Sequence, residues 1–294
     1  MKILCAIDGS RHSQWAMDWV SRLGSPQHDS LLLVHAIDMT QFKSLPRLDQ
    51  KARSALVKIL EFSLEGAAQL LEWAEFKAAP TWGSVRAKLL RGSPAEAIAR
   101  LAKREQVDLL VVGSRGVTEF QPMLLGSVSR KLLMLAPCAV LVVKKPARSL
   151  RRVVLGADGS IESWEAVAWL KQLPQKLRLA VTVASVIPPL PLESVRVPSR
   201  AIAVGDQVEG ALRREAQKLA ARVAGTVRKP GFSAKGIVLF GPPGAELVKL
   251  AECERAELII VGSRRGRSAH EYFMGSVADT VVKHAPCSVL VYRG

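Results

Sequence analysis

VVGSRGVTEFQPMLLGSVS, the sequence of residues 111–129, joins an apolar strand to the start of a helix through a loop framed by glycines. A second version of this frame, IVGSRRGRSAHEYFMGSVA, occupies residues 260–278. In both segments the glycine of the closing Gly-Ser-Val lies thirteen positions after the first glycine of the loop. The chain therefore contains the same strand–loop–helix unit twice.

The duplication extends well beyond this loop. When residues 112–143 are aligned with 261–292 without gaps, 13 of 32 positions are identical. Six residues near the start of the first half recur 150 positions later, near the start of the second half: Asp8, Gly9, Ser10, Ser13, Ala16 and Trp19. A period of this length indicates a duplicated domain, because solenoid repeats run to about 20–50 residues. We predict two domains, at 1–147 and 148–294.

Strands and helices alternate in the predicted order of each half. Residues 3–7 form a short apolar run without alternation, which is typical of a parallel strand buried on both faces. Four further strands are predicted in each half, the last at 139–143 and 288–292. The pattern predicts an α/β fold of two tandem domains, each a five-stranded parallel sheet with helices on both faces.

The net charge of +16 raises the question of nucleic-acid binding. Residues 1–147 carry 20 basic and 13 acidic side chains, and residues 148–294 carry 22 and 13, so the excess is spread over both domains. No recognition motif accompanies it, which favours a solvated surface with phosphate-facing loops over nucleic-acid binding.

The sequence also bears on location. No apolar run approaches the ~20 residues of a membrane span, and Met1-Lys2 leads directly into a strand, which leaves no room for a signal peptide. The four cysteines form no CxxC pair, so reduced thiols are expected. We expect a cytoplasmic protein.

A ligand site is predicted beyond the carboxyl ends of the strands, where the winding direction of such a sheet reverses. Glycines at 113 and 116 would let backbone amides approach an anion, and the helix that begins at Gly126-Ser127 would add its positive dipole end. Arg115 offers a donor fork suited to phosphate oxygens.

Several motifs together make the chain resemble the universal stress protein family in its tandem two-domain form. They are Ile7-Asp8-Gly9-Ser10, Leu33-Val34-His35-Ala36, Gly92-Ser93-Pro94-Ala95-Glu96, residues 108–116, Gly126-Ser127-Val128 and Ala136-Pro137-Cys138. The resemblance implies Rossmann-like domains of the adenine nucleotide alpha hydrolase type, which in one branch of the family bind ATP with Mg²⁺. It places Asp8 and the backbone of Ala36 near the adenosine. It assigns ribose and phosphates to Gly113, Gly116, Gly126, Ser127 and Val128, with Ser129 close by.

The second half keeps most of this pattern. The matching residues are Asp158, Val186, Gly262, Gly275, Ser276 and Val277. Arg265, however, stands where the first half has Gly116, Gly266 comes one position late, and Ala278 replaces Ser129. The arginine could hold phosphate or fill its space, or the loop could bulge and restore the glycine. We expect unequal sites, with the first domain binding ATP more tightly.

Some of these residues also have purely structural interpretations. Asp8 and Asp158 could cap the following helices, Ser93 can cap the helix that Pro94 begins, and His35 is expected to form a hydrogen bond or pack rather than act as a base. Three tryptophans at helical spacing are expected in the cores: Trp15, Trp19 and Trp169.

Enzymatic chemistry has little support in the sequence. Metal-ligand spacing, a GxSxG nucleophile elbow and a Walker lysine motif are all absent, so ATP hydrolysis is expected to be slow and incidental at most. The favoured interpretation is an ATP-binding stress-response or signalling protein. The alternatives are a nucleotide-free scaffold whose basic loops contact acidic partners, and a slow ATPase.

The last strand of each half is also a candidate for assembly. Residues 139–143 and 288–292 are short and apolar, without a charge before Lys144 and Arg293, and an exposed edge of this kind invites pairing. In the resembled family such strands pair between subunits. We therefore expect an intrachain pseudo-dimer of the two domains, and a homodimer of the chain is a further possibility.

Overall fold

The structure is a computed structural model that describes residues 1–40, 49–117, 125–147, 149–190, 199–263 and 274–293. The chain divides into two compact units, Met1–Ala147 and Arg148–Gly294. Within the described residues, no helix is both long and apolar enough to cross a membrane.

The first unit contains five strands and four helices among its described residues. In chain order they are β1 (Lys2–Ala6), α1 (Arg11–Leu23), β2 (Ser30–Ile37), α2 (Gln50–Ala78), β3 (Val85–Arg91), α3 (Pro94–Arg104), β4 (Leu109–Gly113), α4 (Ser127–Leu135) and β5 (Ala139–Val143). The strands lie in the order β3-β2-β1-β4-β5, and each neighbouring pair is parallel. The winding direction therefore reverses between β1 and β4.

The second unit repeats the arrangement. Its elements are β6 (Arg152–Gly156), α5 (Ile161–Gln172), β7 (Ala180–Ile187), α6 (Ser199–Val227), β8 (Ser233–Phe240), α7 (Pro243–Cys253), β9 (Leu258–Gly262), α8 (Ser276–His284) and β10 (Ser288–Tyr292). Its strands lie in the parallel order β8-β7-β6-β9-β10. The predicted class of tandem five-stranded parallel α/β units is confirmed.

The uninterrupted apolar strands form the centre of each sheet. Every residue of β4 and β5 is buried, as expected for strands covered by helices on both faces. Trp19 and Trp169 are also buried, at 1% and 3% exposure, which confirms their predicted core positions. The core prediction for Trp15 was wrong, because its side chain is half-buried, with the His12 ring against its edge.

Serine side chains cap the first helix of each unit. Ser10 Oγ accepts a hydrogen bond from the backbone N–H of Ser13 at 3.2 Å, and Ser160 does the same for Ser163. Ser93 is the N-cap residue of α3 and Pro94 its first residue, as predicted, although the Ser93 side chain forms no capping hydrogen bond. Instead, its carbonyl accepts the first intrahelical bond from Ala97.

Candidate functional site

A cavity of about 300 Å³ lies at the carboxyl ends of β1, β2 and β4 in the first unit. It occupies the position where the winding direction reverses, as predicted for a sheet of this type. All nine residues predicted for the first domain lie in its wall: Asp8, Ala36, Gly113, Arg115, Gly116, Gly126, Ser127, Val128 and Ser129. Residues far apart in sequence therefore converge on one site.

One side of the cavity is mostly apolar, and its residues were not predicted as site residues. Ile7, Pro94 and Ile98 line it together with His35. The Nδ1 atom of His35 lies 2.7 Å from the Ile7 carbonyl oxygen, and because a carbonyl can only accept, this nitrogen donates. The expected hydrogen-bonding role of His35 is confirmed. Pro94 and Ile98 belong to α3, which packs against β2, β3 and α4, a placement that the sequence alone does not give.

Asp8 is half-buried and does not cap α1. Its Oδ1 atom accepts a hydrogen bond from the Ser10 backbone at 3.0 Å, and the Ser10 hydroxyl provides the cap itself. A Cβ atom placed on Gly116 would lie 2.9 Å from Asp8 Oδ2. The second carboxylate oxygen therefore faces the loop after β4, and a glycine at 116 leaves room for it.

Gly113 has a different reason to be glycine. A Cβ atom there would lie 2.8 Å from His12 Cβ, 2.9 Å from the His12 carbonyl carbon and 3.0 Å from the Ser13 nitrogen. The missing side chain thus permits the first turn of α1 to contact the end of β4. This packing role was not anticipated, since the predicted role was the approach of an anion.

Two hydroxyl groups hold the loop after β4 in place. Ser129 Oγ donates to the Gly113 carbonyl at 2.6 Å, and Ser10 Oγ donates to the Arg115 carbonyl at 3.3 Å. Gly126 is the N-cap of α4 and contributes no capping side chain. Because Gly126, Ser127 and Val128 line the cavity, the positive end of the α4 dipole is part of its wall, and this suits an anionic group.

The second unit brings some equivalent residues to the same place in its own sheet. A Cβ atom on Gly262 would lie 2.9 Å from the Glu162 carbonyl carbon and from the Ser163 nitrogen, so this glycine has the packing role of Gly113. Gly275 is the N-cap of α8, which begins at Ser276-Val277, and its N–H donates to Ser263 Oγ at 3.3 Å. Val186 lies half-buried near the end of β7.

Asp158 differs from Asp8 in its surroundings. It is exposed, and its Oδ1 atom accepts from both the backbone and the hydroxyl of Ser160, at 2.9 and 2.5 Å. The serine hydroxyl of the first unit donates to the carbonyl of Arg115 in the loop after β4, whereas the equivalent hydroxyl of the second unit donates to the aspartate. The positions that distinguish the second loop, Arg265 and Gly266, lie outside the described residues.

Known proteins share both the sequence pattern and the fold. The sequence profile of the Universal stress protein family matches residues 1–144 and again 149–293. The chain belongs to the universal stress protein family. It is 28% identical over 307 residues to the universal stress protein Rv2623 of Mycobacterium tuberculosis, covering 99% of this chain and 96% of that protein. It is 35% identical over 147 residues to YxiE of Bacillus subtilis, covering 49% of this chain and 98% of YxiE.

A solved structure supports the fold. A universal stress protein from Archaeoglobus fulgidus superposes with a TM-score of 0.66 at 19% identity, covering 99% of this chain and 98% of that one. This likeness extends across both units and supports the α/β fold, while the family itself is shown by the match of its sequence profile to both halves.

Histidine 12 is a titratable group of this universal stress protein that lies close to the predicted phosphate-facing loop. Burial lowers the pKa of His12 below its usual value of 6.5, and the Arg115 and Arg11 guanidinium groups lower it further, while the Asp8 carboxylate opposes them. The Arg11 guanidinium also lies 5.9 Å from the Trp15 ring centroid. The neutral imidazole is thereby favoured.

We expect His12 to make folding sensitive to acid. Because the pKa of His12 is lower in the folded state, the unfolded chain binds the proton first as the pH falls, so the free energy of unfolding declines below about pH 6.5. The His12→Gln variant should lack this part of the decline. Urea denaturation at a series of pH values from about 8 to 5 measures it, with pH 8 as the reference. Identical pH dependence in both proteins would contradict the expectation.

Proposed function

We propose that this universal stress protein binds ATP with Mg²⁺ in the cavity of its first unit and works as a stress-response or signalling module. The proposal rests on one observation above all: the nine predicted residues, spread from Asp8 to Ser129, form the wall of a single cavity. Its volume of about 300 Å³ falls within the range of small-molecule sites, and one side is mostly apolar.

The chemistry of the wall fits a nucleotide. Ile7, Pro94 and Ile98 offer apolar surface suited to a base, and the backbone of Ala36 lies beside them. The start of α4 and the Arg115 side chain supply positive potential suited to phosphates. Mg²⁺ would neutralise phosphate charge when bound, and magnesium commonly retains waters and needs few carboxylates. Asp8 is the carboxylate that the described wall provides.

The proposal predicts binding that depends on Asp8. Calorimetric titration with Mg-ATP should show saturable binding to the wild type, and Asp8→Ala should weaken it at least ~tenfold, which is about 1.4 kcal/mol. The matched control is Asp158→Ala, at the equivalent position of the second unit, which should leave the tight site unchanged. Thermal denaturation of both variants separates lost binding from lost folding, because Asp8 also accepts a hydrogen bond from Ser10.

Failure of the wild type to bind at millimolar ATP would reject the nucleotide proposal. A nucleotide-free interaction scaffold of the same fold would then be the better interpretation. Mass spectrometry of the ligand released from purified, undialysed protein tests the identity of the nucleotide directly.

A further inference from the structure

A second concavity lies on the first unit, between the edge strand β3 and the helix α3, with a volume of about 530 Å³. Its apolar lining consists of the half-buried Leu90 and the buried Ala97 and Leu101. Four cationic side chains surround this lining: Arg91, Arg100, Lys103 and Arg104. We call this feature the basic groove.

The nearby carboxylates do not balance this charge. Glu96 pairs with Arg100 at 3.7 Å, between two exposed side chains. Glu105 is within 3.9 Å of Arg104 and is shared with two cations of β3, Arg86 at 3.3 Å and Lys88 at 3.8 Å. The exposed Glu96–Arg100 pair contributes only ~0–1 kcal/mol, so a carboxylate of a partner can replace Glu96 at low cost.

The duplicated unit shows that the fold does not require these cations. Helix α7 has the same length as α3, with 11 residues, yet it places Glu246, Glu252 and Cys253 where α3 has Ala97, Lys103 and Arg104. Strand β8 likewise ends at Phe240 where β3 ends at Arg91. Only one position keeps its charge, since Lys249 matches Arg100. Basic residues at the end of α3 favour its dipole, but α7 folds without any in its last turn.

We propose that the basic groove binds an acidic, extended segment of a partner protein that carries an apolar side chain. The carboxylates of the segment pair with the cationic rim, and its apolar side chain contacts the half-buried Leu90 and the methylene stems of the rim side chains. Among the described strands β3 pairs only with β2, so its other side offers backbone groups that an extended chain can bond. Single-stranded nucleic acid fits less well, because none of the described residues that line the groove is aromatic and able to stack on bases.

The test uses the full chain and a fluorescein-labelled dodecapeptide of alternating Glu and Val, with fluorescence anisotropy at about 0.15 M salt. We expect saturable binding that the double variant Arg100→Gln/Arg104→Gln weakens at least ~tenfold. A dodecapeptide of alternating Glu and Ser, which keeps the charge and lacks the apolar side chains, should also bind more weakly. The matched control is Lys249→Gln in the second unit, which should not change binding.

Three outcomes would overturn the proposal. The first is an absence of saturable binding by the Glu-Val peptide to a wild type shown by circular dichroism to be folded. The second is equal binding of the peptide to the wild type and to the folded double variant. The third is tighter binding of a labelled thymidine dodecanucleotide than of the peptide, lost in the same double variant, which would assign the groove to nucleic acid. None of these outcomes depends on ATP, so the proposed nucleotide site is tested separately.

Discussion

Replacement of Gly113 by alanine is expected to lower the free energy of unfolding by about 1–3 kcal/mol, the usual range for overpacking. The new Cβ atom would lie within 3.0 Å of three atoms of His12 and Ser13, two of which belong to the backbone of α1. Backbone atoms cannot rotate away as the end of a side chain can, so α1 and β4 must separate. Urea denaturation at neutral pH measures the loss.

The matched control is Gly66→Ala in the middle of α2. No atom lies within 4 Å of a Cβ at this position, and the new side chain restricts the unfolded chain, so a gain of ~0.4–1 kcal/mol is expected. Gly262→Ala should behave like Gly113→Ala, because its Cβ would meet the first turn of α5 at 2.9 Å. If Gly113→Ala were as stable as the wild type, the close contact of α1 with β4 would not be a constraint on this position.

The second large effect concerns the stoichiometry of ATP binding. We expect one tight site per chain and a second that is weak or absent, and Gly116→Arg should remove the tight one. A Cβ on Gly116 already comes within 2.9 Å of Asp8 Oδ2, and an arginine adds further bulk beside the proposed phosphate position. A steric overlap is not screened, whereas the attraction of an exposed arginine for an anion weakens with salt.

The second unit supplies the reciprocal variant. Arg265→Gly gives the second loop the glycine that the first loop has at 116, and we expect it to strengthen ATP binding at the second site. Equilibrium dialysis of Mg-ATP against the wild type and the variant measures this change. Two equally tight sites in the wild type, or weaker second-site binding in Arg265→Gly, would identify Arg265 as a phosphate ligand.

The sequence predicted the bounds of helices and strands best where glycine or proline flanks an apolar run. The helix at Ser127–Leu135 and the strand at Ala139–Val143 have the predicted bounds, because Gly126 begins the helix and Pro137 separates it from the strand. The helical spacing of Trp15, Ala16, Trp19 and Val20 predicts a helix over 13–23, and α1 begins at Arg11, two residues earlier, since Ser10 is its cap. The bounds of α2 could not be predicted, because Phe62 and Phe76 are 69% and 81% exposed and so obscure its apolar stripe.

The candidate site was predictable in its polar half and not in its apolar half. Glycine and aspartate at strand ends are visible in the sequence, and the nine predicted residues of the first unit do come together. Ile98 resembles any core residue of an amphipathic helix, and only the packing of α3 against β2, β3 and α4 makes it part of the wall. Likewise, the reason for Gly113 is a contact with α1, about a hundred residues earlier in the chain, which no local pattern shows.

The helix α3 belongs to the wall of both concavities of the first unit. Ile98 lines the cavity, and Leu101, less than one turn later, lines the basic groove. A rigid element shared in this way links two equilibria, because an occupant that shifts the helix on one side changes the fit on the other. Such linkage is reciprocal: whatever factor a groove ligand imposes on nucleotide affinity, the nucleotide imposes on the affinity of the groove. With a nucleotide in the cavity and a peptide in the groove, both as proposed, this 11-residue helix would couple the concentration of one to the binding of the other.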